Sequence, residues 1–333
     1  MDLYARVNVL DGRAVRLPRG DVNEAIALHN DPVGRVNNWF HQGADYVHVV
    51  DLDAAAFDNP RNRGLIDSIL DETTGPVQIA GGIRSHVEAA RLLDRGAWRI
   101  VMGTAAIEDQ NMVWDLCRDF PGRVAVSVDV RPDEEIATRG WTKNSGRYLE
   151  EVLIEMSSAG AAAFFVMAAG RDVLAEPANL KILSEALATV EEPVVAAGGA
   201  RDVEDLHKLV ALSIHGRRLG GLIVGREVTE GRFTLAEARR IIEEGPPEQP
   251  AEPIARPVSR AHTTPPLLAD AATALMKVAE EADRAAAAAR NAARHYQAAD
   301  DGPGTDEVAA AHAHLETARS QLEEIAPRAP VTR

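Results

Sequence analysis

Asn8 and Asp129 are the residues around which the chemistry of this chain turns. Asn8 lies in "RVNVLDG" and Asp129 in "VSVDVRP", each near the end of a Val-rich run that opens into a turn. Two carboxylates facing each other across a pocket would serve as general base and general acid. Here one of the two is a carboxamide, which hydrogen-bonds but takes no proton near neutral pH. A second set of residues suits anions. "IAGGIRS" (79–85) and "AAGGARD" (196–202) carry Gly81, Gly82 and Gly198, Gly199 at matching points. "VMGTAA" (101–106) and "IVGREV" (223–228) do the same for Gly103, Thr104 and Gly225, Arg226. Glycine lets backbone N–H groups approach a ligand closely, and N–H groups at a helix start favour phosphate. Two such rims suit a ligand with a phosphate at each end; tight turns alone would also call for these glycines. Arg16 and Arg139 are candidates to hold a substrate carboxylate or phosphate, with plain surface charge as the alternative. Trp141, in "RGWT", suits stacking on an aromatic ring or packing of its own loop. Asp172, in "MAAGRDVL" (167–174), reads as a catalytic or a solvated loop carboxylate. Asp51 and Asp53 read as caps of a loop, His48 as a core histidine and Cys117 as packing.

Bringing strand ends together at one rim takes a particular scaffold. Val/Ile-rich runs recur at 4–10, 45–52, 76–81, 98–103, 123–130, 162–168, 193–198 and 220–225. Segments of helical period separate most of them, such as "SHVEAARLLDRG" (85–96) with its Ser N-cap and closing Gly. Eight strands alternating with helices over ~250 residues predict an α/β fold, a (β/α)8 TIM barrel with catalytic groups at its C-terminal rim. A doubly wound sheet would show a Gly-rich fingerprint after the first strand, and "LDGRAVRL" is not one. The barrel also repeats internally: "GADYVHVVDLD" (43–53) aligns with "GAAAFFVMAAG" (160–170), and the two glycine motifs follow in the same order. In that alignment Asn8 matches Asp129.

The barrel is expected to span 1–244. A Pro-rich linker follows at 245–266, then an Ala-rich tail at 267–333. The tail reads as an α-helical hairpin, with helices at 267–299 and 305–325, an N-cap at Thr305, and a potential for self-association. The net charge of −15 argues against nucleic acid and against a polybasic membrane surface. One cysteine in 333 residues permits no internal disulfide and argues against a Cys-based zinc site. With no leader and no spanning apolar run in sight, the expected setting is cytoplasmic.

The motifs also carry a resemblance. "LDGRAVRLPRGD" (10–21), "VHVVDLDAA" (47–55), "GGIRS" (81–85), "GTAA" (103–106), "VDVR" (128–131), "RGWT" (139–142), "AAGG" (196–199), "VGRE" (224–227) and "EGRFTLAEA" (230–238) stand in order along nearly all of 1–244. The chain resembles the phosphoribosyl-aminoimidazole-carboxamide isomerases of histidine biosynthesis, most nearly the actinobacterial kind that also serves tryptophan biosynthesis. The resemblance implies a twofold (β/α)8 barrel, a phosphorylated sugar substrate and an Amadori rearrangement of an aminoaldose to an aminoketose. It implies no metal and no organic cofactor. It puts a proton-accepting Asp at position 8 and its partner at Asp129. It also puts Thr-Asp at 167–168 and Gly-Thr at 173–174, where this chain has Met167, Ala168, Val173 and Leu174. The anion rims and "RGWT" are kept. Three functions remain open from the sequence: an isomerase that works without the usual base, a non-catalytic phosphosugar-binding or scaffold barrel, and an enzyme turned to another substrate.

Overall fold

A computed structural model describes residues 1–18, 21–170 and 176–246 of the chain. Asp172, most of the linker and the tail with its expected helical hairpin lie outside the described residues. Eight parallel strands form the barrel: β1 (Asp2–Leu10), β2 (Tyr46–Asp51), β3 (Val77–Ala80), β4 (Arg99–Met102), β5 (Val124–Val130), β6 (Phe164–Ala168), β7 (Val194–Ala196) and β8 (Gly221–Val224). Each pairs with its neighbour in sequence, and β8 closes on β1. The expected (β/α)8 barrel is the observed architecture.

The register carries the internal repeat. Val47 faces Val77 between β2 and β3, and Phe164 faces Val194 between β6 and β7, each 117 positions further on. Ala5 faces Val47, and Val126, 121 positions on from Ala5, faces Phe164. The two seams between halves match as well: Met102 faces Val126, and Val224, 122 positions after Met102, faces Ala5. Hydrogen-bond register has a period of two, so a one-residue slip in either half would turn its inner set outward. Asn8 and Asp129 therefore occupy equivalent places by pairing and not by motif similarity alone: Asn8 faces Val50, and Asp129 faces Met167.

Alternation sorts each strand into an inner and an outer face. β1 sends Leu3, Ala5, Val7 and Val9 into the apolar layer under the helices, and turns Tyr4, Arg6 and Asn8 inward. The helices answer with apolar stripes. The helix His86–Asp94 buries Ala89, Leu92 and Leu93, and Ser85 accepts a hydrogen bond from the Glu88 N–H at its start (3.2 Å). The N-terminal end of the barrel is plugged by aromatic rings. Tyr46 stacks on Tyr4 and on Trp98, with the Arg99 guanidinium over Trp98 at 4.2 Å. Among the described residues, the large cavity opens at the C-terminal end.

In both halves the first strand folds back into a hairpin above that end. Arg13–Arg16 pairs with β1, placing Val15 opposite Asn8, and Glu135–Thr138 pairs with β5, placing Ala137 opposite Asp129.

Candidate active site

The open end is a cavity of about 680 Å³ that takes in Asn8, Arg16, Gly81, Gly82, Gly103, Thr104, Asp129, Arg139, Trp141, Gly198, Gly225 and Arg226. Of the sequence candidates in the described chain, Gly199 alone lies off this lining.

Asp129 has the most defined setting. Its Oδ2 accepts a hydrogen bond from Trp141 Nε1 (2.9 Å), while Oδ1 is buried without a partner. Burial raises its pKa above the ordinary carboxylate range, against the pull of the Trp141 hydrogen bond and the Arg6 charge. Asp129 is thus disposed to hold a proton longer than a surface aspartate and to release it to a partner in the cavity.

The local backbone is shaped to deliver Trp141. Arg139, Gly140 and Trp141 all have positive φ (52°, 62° and 69°). Each non-glycine residue in that region costs about 1–2 kcal/mol. The turn is held by the Arg139 N–H donating to Thr104 Oγ1 (2.8 Å), the Thr142 hydroxyl donating to the Arg139 carbonyl (2.7 Å), and the Arg131 guanidinium donating to the Trp141 carbonyl. Strain gathered at a site-lining loop points to a role for what the loop presents, here the indole N–H.

Asn8 is half-buried at the matching place, and its amide makes no side-chain hydrogen bond to a described residue. The loop after it is fixed by a buried network. Asp53 Oδ2 accepts from the Asp11 N–H (2.7 Å), and Asn62 accepts at Oδ1 from the Gly12 N–H (3.0 Å). Asn62 Nδ2 donates to both Asp51 and Asp53. Asp51 also caps the helix Leu52–Phe57 through the Ala54 N–H. These two aspartates brace the loop behind β1.

The glycines divide by cause. A Cβ on Gly81 would sit 2.3 Å from the Asp51 carbonyl oxygen, one on Gly82 2.3 Å from the Ala54 Cβ, and one on Gly199 2.5 Å from the Ala178 Cα. Backbone crowding at positive φ accounts for glycine at all three. Gly103 has open space around it and a negative φ, so neither crowding nor backbone conformation calls for glycine there. Arg16 and Arg226 both donate to Glu230 Oε1 (2.9 and 3.0 Å), and Arg139 pairs with both oxygens of Glu108 (2.8 Å each). Ion pairs this exposed are worth about 1 kcal/mol or less, so a phosphate can compete for these arginines.

Sequence reasoning missed Arg6 and Glu227 on the floor of the cavity; His48, read as a core histidine, is buried there. Arg6 donates from Nη2 to the Ala197 carbonyl (3.2 Å), within electrostatic range of Asp129 and Glu227. His48 is buried with Gln78 Nε2 at 2.7 Å from its Nδ1, and burial with the Arg6 charge lowers its pKa to about 3, so it stays neutral. Glu227 is buried beside Gly225. A signal for Arg6 existed: Tyr4, Arg6 and Asn8 share one phase of the strand alternation, so an arginine two places before Asn8 must face the same cavity.

The profile of the family described as "Histidine biosynthesis protein" matches residues 2–234. The chain belongs to this family. Its curated relatives include 1-(5-phosphoribosyl)-5-((5-phosphoribosylamino)methylideneamino)imidazole-4-carboxamide isomerases from cyanobacteria. The protein from Cyanothece sp. is 37% identical over 245 residues, 74% of this chain and 94% of the relative. That from Picosynechococcus sp. is 39% identical over 242 residues, 73% and 93% of the two chains. That from Synechococcus elongatus is 38% identical over 245 residues, 74% and 94%. The family match stops short of the linker and the tail. Among the described residues no helix is long and apolar enough to cross a membrane, and no cluster of His, Cys, Asp and Glu could hold a metal ion.

Proposed function

We propose that this family member is an aldose–ketose isomerase acting on a phosphoribosyl amine, with Asp129 as the group that moves protons. The observation that carries this reading is the Asp129 carboxyl: one oxygen is fixed by Trp141, the other is buried without a partner, and burial favours the protonated form. The relatives' names supply the reaction class.

One carboxyl can run the sequence by turns. Protonated Asp129 gives its proton to the ribose ring oxygen as the C1–O bond breaks and the amine lone pair forms the C1=N bond. The carboxylate then takes the C2 proton, and the electron pair moves to make the C1=C2 enolamine. The same proton passes to C1, and the enol O–H returns its proton to Asp129 as the C2 carbonyl forms. Protons balance with no second side-chain base. Asn8 hydrogen-bonds a sugar hydroxyl at the place equivalent to Asp129, and the Arg16, Arg139 and Arg226 side chains, together with the glycine rims, attract the phosphate. Loss of a positioned base costs ~10²–10⁴-fold in rate, so the enzyme is slow by that measure.

Turnover of the histidine-pathway aminoaldose and of phosphoribosyl anthranilate, by the native chain and by Asp129→Asn, tests the reading. The native chain is expected to turn over at least one of them, and the variant to lose at least ~10²-fold in kcat. An Asp129→Asn chain with native kcat refutes the role of Asp129. A second reading, a barrel that binds phosphosugars without chemistry, is favoured by the carboxamide at Asn8. A native chain that binds both compounds and turns over neither would establish it.

A further inference from the structure

The cavity is not lined alike on its two sides. The first half lines it with an apolar wall of Leu17, Val22, Leu28, Ala55, Ala56 and Phe57. The second half lines it above β5 with Arg139, Trp141 and Thr142. The apolar wall is built outward from Asn8. Val15 faces Asn8 on one side and Ala27 on the other, and Leu28 follows in the strand Ile26–His29. Val50 faces Asn8 from β2, and the helix Leu52–Phe57 begins just past it. Leu28 and Phe57 thus rise from the two elements that flank Asn8. They are 43% and 55% exposed, although both line the cavity. An apolar surface left to solvent inside a cavity, with Asn8, Arg16, Asn23 and Arg84 around it, gains free energy from a flat apolar group that covers it.

We propose that this wall is the subsite for a planar ring carried on the substrate's amine, and that Leu28 and Phe57 set a preference for ring-bearing over ring-free phosphoribosyl compounds. The proposal rests on reading the cavity as the site of a phosphoribosyl amine. In that reading the reacting C1 and C2 lie beside Asp129, where Trp141 holds the carboxyl. The amine on C1 joins the sugar to the rest of the substrate through one nitrogen, so that remainder lies across the cavity from Asp129. The side of the cavity across from Asp129 is the side of Asn8 and its apolar wall. A ring there covers Leu28 and Phe57 with apolar and aromatic contact.

The test is binding by the full chain carrying Asp129→Asn, so that no turnover mixes with the heat of a calorimetric titration. Two probes are compared: the better bound of the histidine-pathway aminoaldose and phosphoribosyl anthranilate, and ribose 5-phosphate, which has no ring. Adding Leu28→Ala and Phe57→Ala is expected to weaken the aminoaldose at least ~10-fold and to leave ribose 5-phosphate unchanged. Both side chains are exposed, so their truncation takes little from the core; should the pair fold poorly, Phe57→Ala alone is expected to cost the aminoaldose ~5-fold. An aminoaldose bound as tightly after truncation as before overturns the proposal. So does an equal loss for both probes, which would put the sugar and not the ring against the wall. Failure of the functional reading looks different: a chain that binds neither probe before truncation removes the phosphoribosyl site, and this subsite with it.

Discussion

Asn8→Asp puts a carboxylate at the place equivalent to Asp129, and the charged groups of the cavity floor set what it should do. Arg6, two residues earlier on the same inner face, already has Asp129 and Glu227 near it. A third carboxylate leaves the floor with an excess of negative charge, so one of the facing acids must keep its proton at neutral pH. Asp129, whose pKa burial already raises, is the one to keep it. The carboxyl introduced at position 8 then ionises, and the site holds a base and an acid together instead of one group in turns. A positioned base is worth ~10²–10⁴-fold, or about 3–5 kcal/mol of barrier lowering at 1.36 kcal/mol per decade. The gain should fall on kcat with KM little moved, because a proton transfer is made in the transition state and not on binding. An extra carboxylate in a half-buried place costs about 1–3 kcal/mol of stability, a fall of roughly 2–12 °C in Tm for a domain of this size. Steady-state turnover of the better of the two aminoaldoses, with a melting curve beside it, decides the matter. A variant that folds, binds phosphate and shows no rise in kcat would mean that Asn8 does not face the reacting carbon, and the twofold argument for the site would fail.

Three further outcomes follow from particular contacts. Trp141→Phe removes the hydrogen bond that lowers the Asp129 pKa; the alkaline limb of the kcat/KM profile, where Asp129 loses its proton, should move to higher pH, and an unmoved limb would separate Trp141 from the chemistry. Asp129→Asn should raise Tm while it removes activity, because a buried acid with a raised pKa stabilises the fold fully only below the unfolded pKa and loses that contribution as pH rises through its folded pKa. The gain in Tm should therefore be larger at pH 8 than at pH 4, and equal gains at the two pH values would contradict it. His48 has the opposite sign: its pKa is lowered to about 3, so the folded chain takes up no proton there while the unfolded chain does so below about 6.5. Stability should drop by about 1.4 kcal/mol per pH unit across that window, and His48→Gln should remove the drop, worth roughly 3 kcal/mol between pH 6.5 and 4 as read by denaturant titration.

The barrel was legible because its signals are local and repeated. Most strands are short Val/Ile-rich runs, most of the described helices start on a capping Asp, Asn, Ser or Thr, and the spacing between halves is the same in sequence as in hydrogen-bond register. The site was legible only in outline. Asn8 and Asp129 stand at strand ends, where motif and period agree. Trp141 was visible as a residue, but its hydrogen bond to Asp129 depends on three consecutive positive-φ residues, and only Gly140 among them is of a type that announces such a turn. Arg6 and Glu227 were passed over because each lies inside a motif read for its neighbours. Their partnership spans more than two hundred residues and exists only once β8 closes on β1. The glycines show the converse. Gly81, Gly82 and Gly199 suggested ligand contact, and backbone crowding explains them without any ligand.

A twofold barrel offers two copies of every rim, and a symmetric ligand would keep both alike. This chain has kept the pairing of the strands and let the side chains part. Asn8 against Asp129, Ala105 against Glu227 and Arg6 against Ser127 are each a neutral or small group facing a charged or polar one at equivalent places. The departures are coupled in charge. Arg6 on the floor of the first half lies near both Asp129 and Glu227 of the second, so a single added cation serves the two acids whose pKa values burial raises. Removing Arg6 would leave both acids without their shared cation, whereas placing an aspartate at position 8 adds a third acid to the same cation. The polarity of the cavity is thus set by one strand, β1, whose inner face carries the amide and the guanidinium two residues apart.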